Sequence, residues 1–468
     1  MTIVESPPRD AAASDVEAWL DAHDITWIRA EGVTIDGVVI GKHLHRSKFV
    51  ASLTAGHAIS EIAYGMDLGG TPYLAWWPSW RRDALGDFIA RPDVSTLRPL
   101  PGRVGVASVL VHYCGVDGLP LPVCPRSLLH SIVARIEARG FAVRAAFEVE
   151  GMLFVDDVAS ARQKRFTGLT PMSHPTALGY SIYNSHQQAA FFDALLPRLE
   201  VLGVAVEGWH DEAAPGQFEI NLMPADAASA ADAVVRVKQT AREVALDLGC
   251  SVTFMAKPVE AYGNGLHIHH SLRHTADDTP AFLDPDGTMS ELMQRWLAGI
   301  VTTMPGATSV LNPTVNSFRR MVGWAAAPTT ATWAEDNKST GARSLTRSAA
   351  SARIEHRVAS GDANPYLVLA TVLAGGLAGL DGTTELPDPL AVVGWGLPDG
   401  WPHLPNTIST AADAFAADAA LRGHLGSGFV DHWVESRRWE WLMFHTTGGD
   451  PTATSVTRWE LERSFELG

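Results

Sequence analysis

Four short stretches place ionisable side chains at every second position and apolar side chains between them. In AAFEVEGMLFV, Glu148 and Glu150 share one side and Phe147 and Val149 the other; in GQFEINL, Gln217 and Glu219 are backed by Phe218, Ile220 and Leu222. In NGLHIHHSL, His267, His269 and Ser271 oppose Leu266 and Ile268, and in ARIEHRV, Arg353, Glu355 and Arg357 oppose Ile354 and Val358. A period of two is that of a strand, whose successive side chains face opposite sides of a sheet. One such segment is commonplace, because alternate histidines on a strand are more often polar surface than ligands. Four of them would give a sheet one charged face on which carboxylates repel one another at a cost of several kcal/mol, unless cations compensate. Bound metal is the simplest compensation.

The elements that must carry these strands follow from length and patterning. At 468 residues the chain exceeds the ceiling of roughly 250–300 residues for one core, so two domains are expected. A content of 46% hydrophobic and 19% charged residues is globular, and a net charge of −16 argues against nucleic acid or an anionic membrane as partner. Cys114, Cys124 and Cys250 are too few and too scattered for a disulfide framework, which points to the reducing cytoplasm. The start MTIVESPPRDAAASDVEAWL reads as neither signal peptide nor membrane span, and no later apolar run approaches the roughly 20 residues a span needs.

A short helix is expected over residues 14–22, then a hairpin in DITWIRAEGVTIDGVVIGKHLHRSKF turning near Asp36 and Gly37. Residues 51–103 read as strand and loop, with Trp76, Trp77 and Trp80 as core or subunit-contact residues or, alternatively, an aromatic wall for an amine. PLPGR, residues 99–103, reads as the boundary between a small β-rich domain and a larger one at 104–468. Amphipathic helices are expected from Pro125 to Gly140, over 185–201 and over 226–248, and a buried helix over 364–380. Helices alternating with charged strands give an α+β architecture, with helices on the apolar backs of the strands.

The motifs FEVEGMLF, EAAPGQFEI, NGLHIHHSL, NPTVNSFRR, ARIEHR and DANPYL, in this order and followed by RWELERSF, resemble the glutamine synthetases over nearly the whole chain. The resemblance implies an N-terminal β-grasp domain (1–103) and a catalytic domain (104–468) built on a curved antiparallel sheet backed by helices. It also implies two or more Mg²⁺ or Mn²⁺ ions per active site, with ATP as co-substrate. Glu150, Glu212 and Glu219 would hold one ion; Glu148, His267 and Glu355 would hold another. His269, Ser271, Arg343 and Lys338 would contact the nucleotide, while Asn264, Gly265, Arg320 and Arg357 would hold glutamate. Arg343 and Arg353 would neutralise the transferring phosphate. The partners implied are L-glutamate, ATP and an amine, in a homo-oligomer of stacked six-membered rings, a dodecamer.

The same comparison shows departures. The family's FDGSS, whose Asp helps hold ammonium, is replaced by IAYGMDLGGTP, in which Asp67 is the nearest counterpart. Its YEAP turn, whose Glu takes the amine proton, reads GWAAAPTT here, with Ala326 at the Glu position. Lys338 stands where the family has Arg, keeping the charge and losing the planar fork. Two lost carboxylates argue against ammonium and for an organic primary amine, joined to the γ-carboxylate of glutamate through γ-glutamyl phosphate. A monoamine of apolar character suits Trp324, beside the lost Glu. The competing expectations are an ordinary glutamine synthetase that recruits Glu335 or Asp336, and a non-catalytic scaffold or sensor.

Overall fold

The structure is a computed structural model that describes residues 5–73, 86–173 and 179–468; the tryptophans 76, 77 and 80 lie outside the described residues. Its first sheet combines β1 (Trp27–Val33), β2 (Val39–His45), β3 (His57–Ser60), β4 (Asp87–Pro92), β5 (Arg98–Pro99) and β6 (Val106–Cys114) in the order β2-β1-β6-β4-β3, with β5 also on β6. The β1–β2 pair is the expected hairpin, in register from Trp27 opposite His45 to Val33 opposite Val39. The chain then turns into a helix, Arg46–Ala55, where strand and loop were expected. His45 caps it by accepting from the Ser47 amide, and Phe49 and Ser52 are buried on its inner side. The apolar strand β6 is central in this sheet and parallel to β1. The expected break at residue 103 therefore falls in the loop between two strands of one sheet.

The second sheet contains β7 (Phe141–Phe154), β8 (Val206–Asp211), β9 (Gln217–Leu222), β10 (Ala225–Asp226), β11 (Ser251–Thr253), β12 (Leu266–His274), β13 (Trp333–Glu335), β14 (Ala342–Leu345) and β15 (Arg353–His356). Its order is β13-β14-β15-β12-β7-β9-β8, so the four alternating segments are four consecutive neighbours. All pairings are antiparallel except β13 with β14. The apolar backs, among them Phe147, Val149, Phe218, Ile220, Leu266, Ile268 and Ile354, are buried in the core. Helices Pro125–Glu137 and Ala227–Leu248 pack on β7, and Ile182–Val201 packs on β8. Behind them the apolar helix Pro365–Asp381 lies against Glu291–Leu311, buried along most of its length. His270 also faces this core and stays neutral: burial pushes it down to about 3, and its Nε2 accepts from Trp296 Nε1 at 2.9 Å.

Two polar contacts pin the small sheet to the large one. Asn364, the cap of the helix Pro365–Asp381, donates to Thr34 O at 2.9 Å and so holds the β1–β2 turn. Arg126, at the start of the helix Pro125–Glu137, donates to both carboxylate oxygens of Asp232 and to Asp93, each at 2.9 Å. The Tyr366 hydroxyl donates to Asp232 at 2.6 Å, closing the cluster. Arg126→Met should leave the Asp232 carboxylate without its ion-paired cation and Asp93 with only the exposed Arg9, and lower unfolding stability by about 3–5 kcal/mol. Chemical denaturation measures this; an unchanged midpoint would show that the cluster does not hold the domains.

Candidate functional site

The sheet register sets the charged residues directly across from one another. Glu148 stands opposite His267, Glu150 opposite Glu219, and Glu355 opposite both His269 and Arg343. Directly opposed side chains lie within about 4.5–5.5 Å at Cβ, so each pair touches. His267 Nδ1 lies 2.8 Å from Glu148 Oε2 and His269 Nε2 lies 3.0 Å from Oε1, the two rings gripping one carboxylate. Arg353 Nε donates to His269 Nδ1 at 3.1 Å, which places the imidazole proton on Nε2, toward Glu148. Glu355 accepts from Arg343 Nη1 at 2.8 Å and from Arg357. Glu150 accepts from the Gly265 amide at 2.8 Å and from Gln217 Nε2 at 3.0 Å.

Two adjoining cavities open on this face, with Glu148 and Asn221 on the wall of both. One, of about 570 Å³, holds Glu150, Glu212, Glu219, His267, Glu355 and the cations Arg320, Arg343, Arg357 and Lys338. The other, of about 700 Å³, is basic, with Arg144, Arg273 and Arg353 beside His269 and Ser271. Most of the acids thus crowd into the first compartment, with cations among them, while the second is lined mainly by guanidinium groups and carries only Glu148 and Glu207 as acids. That arrangement suits cations on one side and a polyanion on the other.

The acids show the strain of crowding. Burial, together with the charges of Glu150 and Glu219, pushes Glu212 up to about 7. Burial also raises Glu150, with Glu219 adding to it against the pull of His267. Burial lowers His210, but its hydrogen bond to Glu219, 3.2 Å from Nε2 to Oε1, its bond to the Asp211 carbonyl and the charges of Glu219 and Glu212 together raise it to about 9. Burial opposes ionisation of Glu148 and Glu355 too. Hydrogen bonds from His267 and His269 nevertheless hold Glu148 well below the carboxylate range, and Arg357 holds Glu355 at about 2.

The donor set fits divalent cations. Ligand atoms of Glu148, Glu219 and His267 lie within 4.8 Å of one another, as do those of Glu148, His269 and Glu355, and those of His210, Glu212 and Glu219. These are carboxylate oxygens with one imidazole each, a composition that suits Mg²⁺ or Mn²⁺.

Several expected site residues stand elsewhere. Asn264 is fully buried and spends its side chain on Met255 O and Gln217, so it braces Glu150 from behind and does not face substrate. Gly265 does meet the cavity wall: a Cβ there would come within 3.0 Å of Arg320, Glu150 and His267, so only glycine lets the three converge. Arg357 Nε is buried without a partner among the described residues, a donor suited to a substrate carboxylate. Lys338 and Arg343 line the acidic cavity and not the basic one. Asp67, the expected counterpart of the ammonium-holding Asp, has its carboxylate engaged within the chain. It is buried, ion-paired to Arg463 at 2.9 Å, bonded to Trp439 Nε1 at 2.9 Å, and off both cavity walls.

The sequence reading passed over His210, Tyr180, Asn221, Trp395, Arg144 and Arg273. His210 was legible in principle, since it stands on the face of β8 opposite Glu219. Tyr180 reaches the cavity from a loop and stacks on His210, centroids 4.6 Å apart; no periodicity marks it.

Comparison with known proteins adds independent support. The family profile described as glutamine synthetase, catalytic domain, matches residues 122–464. Type-1 glutamine synthetase 2 of Dictyostelium discoideum is 31% identical over 94% of this chain and 84% of its own length. Glutamate–isopropylamine ligase of a Pseudomonas species is 30% identical over 97% of both chains. The solved structure of apo GmaS without ligand superposes with a TM-score of 0.80 at 26% identity, covering 96% of this chain and 98% of that one.

The pKa pattern fixes the sign of a metal test. Glu212, with an ordinary value of 4.5, keeps its proton in the fold up to about 7, so its contribution to stability falls as pH rises from about 4.5 through 7. His210, raised from 6.5 to about 9, contributes stability below pH 6.5 that is lost as pH rises through 9. Metal-free protein should therefore lose stability between pH 5.5 and 8.5, and Mg²⁺, which replaces those protons, should raise the melting temperature by several degrees more at pH 8.5 than at 5.5. Identical melting with Mg²⁺ and with EDTA at both pH values would exclude a metal at these acids.

Proposed function

Because this chain belongs to the glutamine synthetase family of ATP-dependent ligases, we propose that it joins the γ-carboxylate of L-glutamate to an organic primary amine, releasing ADP and phosphate. The observation that carries the choice of an organic amine is the wall across from the acids. Trp324, Ala325, Ala326 and Trp395 line it, and among the described residues no carboxylate stands on it. The two acids expected to substitute at an ammonium site are engaged elsewhere: Asp336 is ion-paired to Arg343 and Arg347, Glu335 accepts from Thr346, and neither lines the cavity. The isopropylamine ligase relative is aligned over its whole length, which supports the same reading.

In this proposal Arg320 and Arg357 clamp glutamate, Arg357 through its unpartnered Nε, and Gly265 keeps the space they need. Ser271, His269 and Arg353 receive the nucleotide in the basic compartment, so that its terminal phosphate points to the shared border at Glu148. Mg²⁺ or Mn²⁺, held by Glu150, Glu212 and Glu219 and by Glu148, His267 and Glu355, would supply positive charge to the phosphate oxygens. The γ-carboxylate attacks the γ-phosphorus in line, ADP leaves, and Arg343 stabilises the charge on the transferring group. The amine nitrogen then attacks the acyl carbon of γ-glutamyl phosphate, phosphate departs, and a proton leaves the nitrogen to yield the amide. The assembly we propose is a homo-oligomer, a dodecamer of stacked hexamers. The site of action proposed is the cytoplasm, where the three free, buried cysteines would stay reduced.

Phosphate release with glutamate, ATP and Mg²⁺ against ammonium, putrescine, ethanolamine, isopropylamine and aniline tests the proposal. An organic amine should exceed ammonium in kcat/KM. Ala326→Glu should shift that ratio toward ammonium by about 10²-fold, the lower end of what a positioned base contributes. Wild-type preference for ammonium would contradict the proposal.

A further inference from the structure

The loop around residues 322–327 is built at a cost. Trp324 and Ala326 both adopt left-handed backbone, φ 65° and 62°, a conformation that disfavours any residue with a Cβ by about 1–2 kcal/mol. The strain displays an indole: Trp324 is 69% exposed on the cavity wall. Strain of this kind persists where the surroundings enforce it, often at ligand sites.

The surroundings here are a second loop. Trp395 meets Trp324 edge to face, centroids 6.4 Å apart at 66°. The next residue, Gly396 (φ 68°), has the Trp324 indole against its backbone, and a Cβ at that position would strike Trp324 Nε1 and two ring carbons. The Trp324 N–H is therefore turned toward Gly396. The Trp395 N–H is shut off from solvent and has no partner among the described residues. What both indoles offer the cavity is ring surface. Across the cavity Tyr180, 63% exposed, adds a third ring over His210.

We infer that Trp324 and Trp395 are specificity-determining residues that select a primary monoamine bearing one compact apolar substituent, a short branched alkyl group or an aryl ring. The inference rests on the ligase reading above and deepens it. Apolar ring surface left open in a pocket is stabilised by covering it, and a substituent on the attacking nitrogen is the part of the substrate that lies on this side of the acids. A diamine would bring its second ammonium to a wall without a carboxylate. An amino alcohol would bring a hydroxyl to a wall on which the Trp324 N–H is turned to Gly396 and the Trp395 N–H is shut off from solvent.

The experiment compares wild type, Trp324→Ala, Trp395→Ala and Trp324→Phe in kcat/KM for isopropylamine, aniline, ethanolamine, putrescine and ammonium. In parallel, isopropylamine is titrated against intrinsic tryptophan emission in the absence of ATP. In wild type, isopropylamine or aniline should lead the panel. Each alanine variant should lower the ratio of that amine to ammonium about tenfold through KM, with Trp324→Phe restoring most of it and KM for glutamate and ATP moving less than twofold. The isopropylamine-dependent emission change should be lost in Trp324→Phe. Equal losses for every amine, or none, would overturn the assignment of the wall while leaving the ligase reading intact. Putrescine or ethanolamine leading in wild type would overturn the substrate class, and ammonium leading would overturn the ligase reading itself.

Discussion

Repulsion among carboxylates confined to one sheet face is the constraint on which the rest of the structure depends. Glu148, Glu150, Glu212, Glu219 and Glu355 line a single cavity of about 570 Å³. In water such charges would separate; the pleat and the register of β7, β9, β12 and β15 forbid it. The fold partly offsets the repulsion with Arg320, Arg343 and Arg357 and with two histidines on Glu148. The remainder appears as raised pKa values at Glu150 and Glu212. A protein that needed only a stable sheet would gain by replacing those acids with neutral residues. Their presence fits a site able to hold the divalent cations used by this family.

The backs of the same strands are as uniform as their fronts are mixed. That division is why the sheet was legible in the sequence: Phe147, Val149, Phe218, Ile220, Leu266 and Ile268 alternate with the site residues, and a period of two has one structural meaning. The helices at Pro125–Glu137 and Ala227–Leu248 were legible for the complementary reason, an apolar stripe that needs such a back to cover.

What was not legible is what the chain places by tertiary contact. Asp67 looked like a catalytic acid by position, and only the fold shows Arg463 and Trp439 closing on it. Asn264 reads as a substrate contact until its two hydrogen bonds are seen to point inward. The helix Arg46–Ala55 was hidden because only Phe49 and Ser52 are buried on it, too few to make an apolar stripe at helical spacing. Tyr180 and Trp395 come from irregular loops, and a loop residue announces no direction. The wall of Trp324 and Trp395 in particular depends on two left-handed residues and on Gly396, none of which a periodicity detects.

The most direct measurement of the central claim, that the acidic face exists to hold divalent cations, is the number of Mn²⁺ ions bound per chain, read by electron paramagnetic resonance on titration of the metal-free protein. The expected result is at least two ions per wild-type chain, with at least one lost in Glu219→Ala at unchanged secondary structure. A wild-type chain that binds no Mn²⁺, or a Glu219→Ala chain that binds as many ions as wild type, would contradict it.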